Sequence, residues 1–289
     1  MTCPVSETIA DIRARVARSR ADGLSVALVP TMGALHAGHE SLIRAARERC
    51  GFVVVSIFVN PTQFGPGEDY ASYPRSPEAD LEACARSGAA VAFMPQPAEM
   101  YDPPSLTVVS VPSLSGTLCG ASRPGHFEGV CTVVAKLFNI VQPDQALFGA
   151  KDYQQATILR RMAGDLNFPL EVVVCPTVRE TDGLAMSSRN RYLSGGQRAQ
   201  AVALHESLLL AGRLAGQGER SAGRIAQAMR EHLARRAPDG RIDYIQIVDP
   251  DSLADVDTVD RPVQVLLAVR LGRARLIDNM RVDAARPDR

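Results

Sequence analysis

Apolar and polar positions follow two rhythms along this chain. Short apolar runs recur at Val26-Ala-Leu-Val29, Phe52–Val59, Val91–Met94 and Ala146–Phe148, and Glu171-Val-Val-Val174 reads as a strand. Phe52–Val59 is apolar on both faces, as a central parallel strand is. Between these runs the apolar spacing is helical. Ser6-Glu7 predicts a cap for a helix reaching about Ser19. Glu40–Arg49 places Leu42, Ile43 and Ala46 on one face and stops at Cys50-Gly51. Ser76-Pro77-Glu78 predicts a capped helix with proline at its first position, ending near Gly88. Phe127–Val141 is helical in spacing, and a further helix runs from Gly149 to about Leu166. Residues 95–125 are rich in Pro, Gly and Ser and predict a loop with one short strand near Leu106–Val111.

Strands alternating with helices predict an α/β fold, a Rossmann-like doubly wound parallel sheet over residues 1–183. The pattern then changes. Ser194 caps an Ala/Leu-rich helix to about Ala215, and a second helix spans roughly Ser221–Arg236. Ile242–Val248, Val263–Leu271 and Ala274–Ile277 read as strands. Residues 184–289 therefore form a smaller C-terminal α+β domain.

Composition narrows the function classes. Lys plus Arg equal Asp plus Glu at 32 each, so no net field recruits nucleic acid or an acidic membrane surface. The six cysteines are scattered without a Cys-x-x-Cys pair, which favours buried free thiols over a disulfide frame or a zinc site. The N-terminus lacks a basic-then-apolar leader, and no apolar run reaches membrane-spanning length. A soluble cytoplasmic protein is expected.

Ligands of doubly wound sheets bind outside the carboxyl ends of the strands. Pro30, Asn60, Gly149 and Cys175 each follow a strand, and polar clusters sit behind them. The first is Pro30-Thr-Met32-Gly33-Ala34-Leu35-His36-Ala37-Gly38-His39, where a strand turns into a helix. Glycine lets the backbone approach a ligand closely, and a helix start attracts anions. His36 and His39, three apart, point the same way in a first turn. These features suit a phosphate site with two imidazoles; a plain strand–helix turn with surface histidines also fits. Asn60-Pro-Thr-Gln63-Phe64 carries two amides, or is simply a turn. Arg123 and His126 start a helix, as an anion clamp or as a capped loop. Gly149-Ala150-Lys151-Asp152 opens another helix, where lysine can follow phosphate charge or merely be solvated. Met186-Ser187-Ser188-Arg189-Asn190 is a phosphate grip or a linker.

Pro-Thr-Met-Gly-x-Leu-His-x-Gly-His resembles the pantoate–β-alanine ligase (pantothenate synthetase) family. Its His-x-Gly-His core resembles the signature of nucleotidylyltransferases and class I aminoacyl-tRNA synthetases. Val59-Asn60-Pro-x-Gln63-Phe64, the Arg123–Val130 string, Gly149-x-Lys151-Asp152-x-Gln154-Gln155 and Met186–Asn190 match the same family in order, so the resemblance covers nearly the whole chain. Ala37 and Ala150 stand where an acidic residue is more usual, which touches local hydrogen bonds only.

The resemblance implies ATP-dependent condensation of (R)-pantoate with β-alanine through pantoyl adenylate, with AMP and pyrophosphate released. It implies catalytic roles for His36, His39, Lys151, Ser188 and Arg189. It implies an ATP site made by Met32–His39, Gly149–Asp152, Val178 and Met186–Arg189, with Val178 holding adenine through its backbone. Gln63 and Gln155 would contact pantoate, with Asn60 and Arg123 near them. Mg²⁺ would accompany ATP, with protein ligands unassigned. The C-terminal domain would act as a lid, and the protein would be a homodimer. Two rivals use the same motif: a nucleotidylyltransferase acting on a phosphorylated acceptor, and a nucleotide-binding regulatory module without chemistry.

Overall fold

The computed structural model describes residues 2–102 and 105–284. Two compact units emerge: Met1–Gly116 with Arg123–Val178, and Thr117–Ser122 with Arg179–Arg289.

The first unit is built on six parallel strands: β1 (Val5–Ser6), β2 (Val26–Thr31), β3 (Phe52–Ile57), β4 (Val91–Phe93), β5 (Gln145–Gly149) and β6 (Glu171–Cys175). Their spatial order is β1-β4-β3-β2-β5-β6. β2 lies between β3 and β5, with Val26 opposite Phe52 and Thr31 opposite Ile57. Val26 to Val29 are fully buried, as double-sided packing requires. The helix Ala37–Arg49 lays Leu42, Ile43 and Ala46 against Ala27, Val29, Val53 and Val55. Burying a side chain such as Ile43 contributes roughly 1.5–3 kcal/mol, so this helix is fixed to the sheet close to where it starts. The doubly wound reading holds.

The second unit carries an antiparallel sheet, β7 (Arg241–Val248), β8 (Val263–Leu271) and β9 (Ala274–Val282), in that order. Helices Ala203–Gly216 and Ala222–Arg236 supply Leu204, Leu208, Ile225 and Met229 to its core. All six cysteines are free and buried. Among the described residues, no helix is long and apolar enough to cross a membrane.

Several elements differ from expectation, each for a local reason. Ser6 belongs to β1, and Thr8 caps the helix Ile9–Ala21 by accepting from the Asp11 N–H. The expected strand at 106–111 does not form. Leu106 is 85% exposed and Val108 64%, and none of the described residues pairs with this segment as a strand. Ser194 does cap a helix, through a reciprocal box with Gln197, but that helix ends at Ala201 and a second spans Ala203–Gly216. Val202 between them keeps helical angles, so the interruption is slight. β9 runs on past Ile277 because its polar residues are paired: Asp278 takes Arg179, and Asn279 accepts from Gln264.

The division between units falls at Val178 rather than at 183. Arg179 binds Asp278 through two nitrogens at 2.7 and 2.9 Å and bridges to Ala185, so residues 179–183 go with the second unit. Thr117–Ser122 joins it too, where Cys119 meets Tyr244 and Arg275. A segment embedded in the first unit's sequence leaves no hydropathy boundary to read.

Candidate active site

The stretch after β2 is shaped by two left-handed residues, Gly33 (φ +81°) and Ala34 (φ +50°). A Cβ on Gly33 would lie 2.9 Å from Asp80 Oδ2, so glycine is required there. Asp80, 2% exposed on the helix Pro77–Ser87, accepts from the N–H groups of Ala34 (2.9 Å) and Leu35 (2.7 Å). Those two donors are therefore occupied, and a phosphate in this stretch must find other partners. Thr31 steadies the approach by donating to Ser56 O and accepting from the Gly33 N–H.

His36 is the N-cap of the helix Ala37–Arg49. Its Nδ1 accepts from the Gly38 N–H at 3.1 Å, and His39 Nδ1 accepts from the His36 N–H at 3.3 Å. This is a capping box made of two imidazoles rather than the usual hydroxyl and carboxylate. Because both Nδ1 atoms accept, the proton of each neutral ring is on Nε2. Burial pushes His39 down to about 3, and the charges of His36 and Lys151 act in the same direction. His39 is thus a neutral donor at pH 7.

Lys151 lies on a short 3₁₀ turn, Ala150–Asp152, that follows β5 and leads into the helix Tyr153–Asp165. Its ammonium is 3.7 Å from Asp152 Oδ1. Because β2 and β5 are neighbours, its charge reaches His39. Gly149 ends β5 opposite Cys175, and Val178 lies just beyond β6.

The Asn60 cluster meets the same region. Gln63, 8% exposed, donates through Nε2 to Met32 Sδ, joining the segments after β2 and β3. Asn60 holds this arrangement rather than presenting free polar atoms. Its Nδ2 donates to Gln63 Oε1 and Gly129 O, and its Oδ1 accepts from Thr62 and from Tyr101 OH at 2.8 Å. Arg123 is likewise engaged. It clamps Glu68 with two bonds of 2.6 and 2.7 Å and donates to Gln63 O and to His126 Nε2. His126 Nε2 accepts from the always-protonated guanidinium, so Nδ1 carries the proton and donates to Gln63 O at 2.8 Å. Burial and the Arg123 charge hold His126 down at about 4. Burial alone would raise the Glu68 carboxyl, but Arg123 outweighs it and the group sits below its ordinary value. Gln155 is half-buried in the first turn of Tyr153–Asp165, and its side chain makes no hydrogen bond among the described residues.

The first unit thus gathers His36, His39, Lys151, Gln63, Asn60 and Arg123, with Gln155 on a helix that starts beside Lys151. In the second unit Ser187 caps a 3₁₀ turn, Ser188–Tyr192, accepting from the Arg189 N–H. Met186 precedes this cap. Asn190 donates to Glu180 and Ala185 O, and Arg198 binds both Glu180 and Asp182, so the turn has a built base. Arg179, which precedes this segment, binds Asp278 through two nitrogens.

Sequence comparison decides the family. A model of the pantoate–β-alanine ligase family matches residues 4–281. The chain belongs to the pantoate–β-alanine ligase family. It is 54% identical to the pantothenate synthetase of Moorella thermoacetica over 274 residues, covering 95% of this chain and 96% of that one. With the Syntrophotalea carbinolica pantothenate synthetase it shares 56% over 271 residues, covering 94% and 95%. Among solved structures, a Thermus thermophilus pantothenate synthetase superposes with a TM-score of 0.91 at 46% identity, covering 96% and 98% of the two chains. A Francisella tularensis pantoate–β-alanine ligase, complexed with β-γ ATP and β-alanine, gives 0.79 at 32% identity, covering 96% and 97%.

Asp80 and Tyr101 carry the site's framework without a sequence motif to announce them, and Gly129, inside the Arg123–Val130 string, joins them through a close approach that the string's resemblance does not reveal. Gly129 interrupts the apolar helix His126–Val141, and a Cβ there would lie 2.7 Å from Gln63 Cα and against Thr62 O. An isolated glycine in an apolar helix was the one legible signal of that close approach.

Proposed function

We propose that this member of the family joins pantoate to β-alanine in two half-reactions on one ATP. In the first, a pantoate carboxylate oxygen attacks the α-phosphorus, the α–β bridging bond breaks, and pyrophosphate leaves. In the second, the β-alanine amine attacks the acyl carbon of pantoyl adenylate, loses a proton and expels AMP. The observation that carries this reading is the imidazole pair capping the helix after β2, with the Lys151 charge beside it and Gln63 tethered next to Met32.

The chemistry proposed for these residues is positioning and electrostatic preorganisation. His36 and His39 donate through Nε2 to phosphate oxygens, and Lys151 supplies the positive charge. Gly33 and Gly38 let the nucleotide approach the backbone, while Met32, Ala34, Leu35, Ala37, Gly149, Ala150, Asp152 and Val178 frame it. Met186, Ser187, Ser188 and Arg189 are proposed as further ATP-binding residues. Gln63 and Gln155 orient pantoate, with Asn60 and Arg123 fixing Gln63. Among the described residues no group of three or more His, Cys, Asp or Glu is arranged to hold a metal. A protein-built Mg²⁺ cage does not fit this donor set; Mg²⁺ is proposed to arrive on the ATP phosphates. The cytoplasm, where ATP is available, is the proposed location.

We further infer a homodimer. Leu106 and Val108, apolar and exposed on a segment of strand-like sequence that pairs with no strand among the described residues, are the proposed contact.

Two isotope measurements test the reaction path. Labelled pyrophosphate is expected to exchange into ATP when pantoate is present and β-alanine absent. Oxygen-18 in the pantoate carboxylate is expected in AMP after full turnover. Label in inorganic phosphate, with ADP formed, would replace adenylation by phosphoryl transfer.

A further inference from the structure

Two adjacent backbone N–H groups following a left-handed residue form a concavity suited to an anion. Here it follows Gly33 (φ +81°) and includes the N–H groups of Ala34 (φ +50°) and Leu35. The anion is internal. Asp80 Oδ2 takes the Ala34 N–H, and Oδ1 takes the Leu35 N–H together with the Ser76 hydroxyl at 3.3 Å. Asp80 is 2% exposed, and Cys84 of its helix, Pro77–Ser87, packs in one core cluster with Ala27, Val29, Val53 and Val55 of the sheet. Leu35 immediately precedes His36, whose backbone N–H and Nδ1 make both bonds of the imidazole cap. A shift of the Ala34-Leu35 peptides therefore rotates the cap.

We propose that Asp80 is a positioning residue for the adenylation half-reaction: it clamps the left-handed turn before His36 and thereby sets where the His36 and His39 Nε2 donors meet ATP. The proposal rests on the reading of this site as the ATP site. Asp80 touches neither substrate nor reacting atoms in this assignment. Its carboxylate acts through two peptide groups, which an amide of the same shape cannot both satisfy, because one of its two ends donates.

The test is Asp80→Asn in pantoate-dependent pyrophosphate–ATP exchange, with pantoate affinity measured by calorimetry. Misplaced donors cost transition-state stabilisation, so exchange is expected to fall roughly 10- to 100-fold with a raised KM for ATP, as loss of positioning does. Pantoate affinity is expected to stay within about twofold, since the Gln63 network shares no bond with Asp80. Unchanged exchange and ATP KM in folded Asp80→Asn would overturn the proposal. So would equal weakening of ATP and pantoate, which marks a general structural role. Should Asp80→Asn not fold, Ser76→Ala removes only the third bond. It is expected to raise the ATP KM roughly two- to fivefold by loosening one neutral contact; no change there overturns the proposal as well. Failure of wild-type protein to exchange pyrophosphate at all would instead remove the underlying reading.

Discussion

The imidazole rings of His36 and His39 stand 4.1 Å apart at 36°, and each ring's Nδ1 is held by a backbone N–H. The cap that starts the helix is therefore also what fixes the tautomer of both rings. His39 is proposed to donate to phosphate charge that grows in the transition state. Replacing it by alanine is expected to lower kcat by roughly 10²–10³-fold, the usual loss for one preorganised donor. A steady-state assay on folded His39→Ala checks this, and near-normal kcat removes His39 from the chemistry.

The same burial makes stability depend on pH. In an unfolded chain both His39 and His126 protonate near their ordinary 6.5, whereas in the fold they stay neutral down to about 3 and about 4. Between those limits the unfolded state binds more protons, so stability rises with pH. It is expected to be fully present above about 6.5, to fall on acidification, and to level off only near pH 3. Denaturant unfolding at several pH values gives the slope. His39→Gln and His126→Gln should each flatten it, and an unaltered slope in both would show that other groups govern acid stability.

Gly129 tests the framework rather than the chemistry. Any side chain there strikes Thr62 and Gln63 backbone, which cannot swing away as a flexible side chain would. Gly129→Ala is expected to destabilise the protein by roughly 1–3 kcal/mol, as overpacking does. It should also raise the KM for pantoate more than that for ATP. A variant with wild-type melting temperature and both KM values unchanged would mean the helix His126–Val141 shifts freely.

How much was legible followed from how local the cause was. β2 to β6 and the His36–His39 turn read correctly because a buried parallel strand and a helix start leave marks within ten residues. Asp80 left none: its role depends on a helix 45 residues away in sequence from Leu35 folding back over the turn. Asn60 and Arg123 were found as residue types, but their partners, Tyr101, Gly129 and Glu68, are brought in by the fold. The strand at 106–111 failed for a different reason. Its residues suit a strand, but a strand also needs a neighbour, and within the described chain Val109 N–H turns to Thr132 instead.

That unpaired segment gives the prediction on assembly. Leu106→Asp with Val108→Asp places charge on the proposed contact and is expected to shift sedimentation from dimer to monomer. Wild-type protein sedimenting as a monomer, or a double variant that remains dimeric, would move or remove the interface.

Gln63 and Gln155 are both proposed to bind pantoate, yet the structure holds them differently, and this separates their expected phenotypes. Gln63 is tied through Oε1 to Asn60, through Nε2 to Met32 and through its carbonyl to His126 and Arg123. Truncating it leaves Asn60 Nδ2, nearly fully buried, with one acceptor fewer. Gln63→Ala should therefore weaken pantoate binding and also cost roughly 1–3 kcal/mol of stability, as an under-satisfied buried amide does. The Gln155 side chain makes no hydrogen bond among the described residues, so Gln155→Ala should weaken pantoate binding with stability within about 0.5 kcal/mol of wild type. Calorimetry with pantoate and with ATP, alongside thermal melts, reads both quantities. ATP affinity is expected to hold in each variant. If Gln155→Ala binds pantoate normally, the substrate does not reach that helix; if both variants lose ATP and pantoate equally, the two glutamines belong to the fold and not to the pantoate subsite.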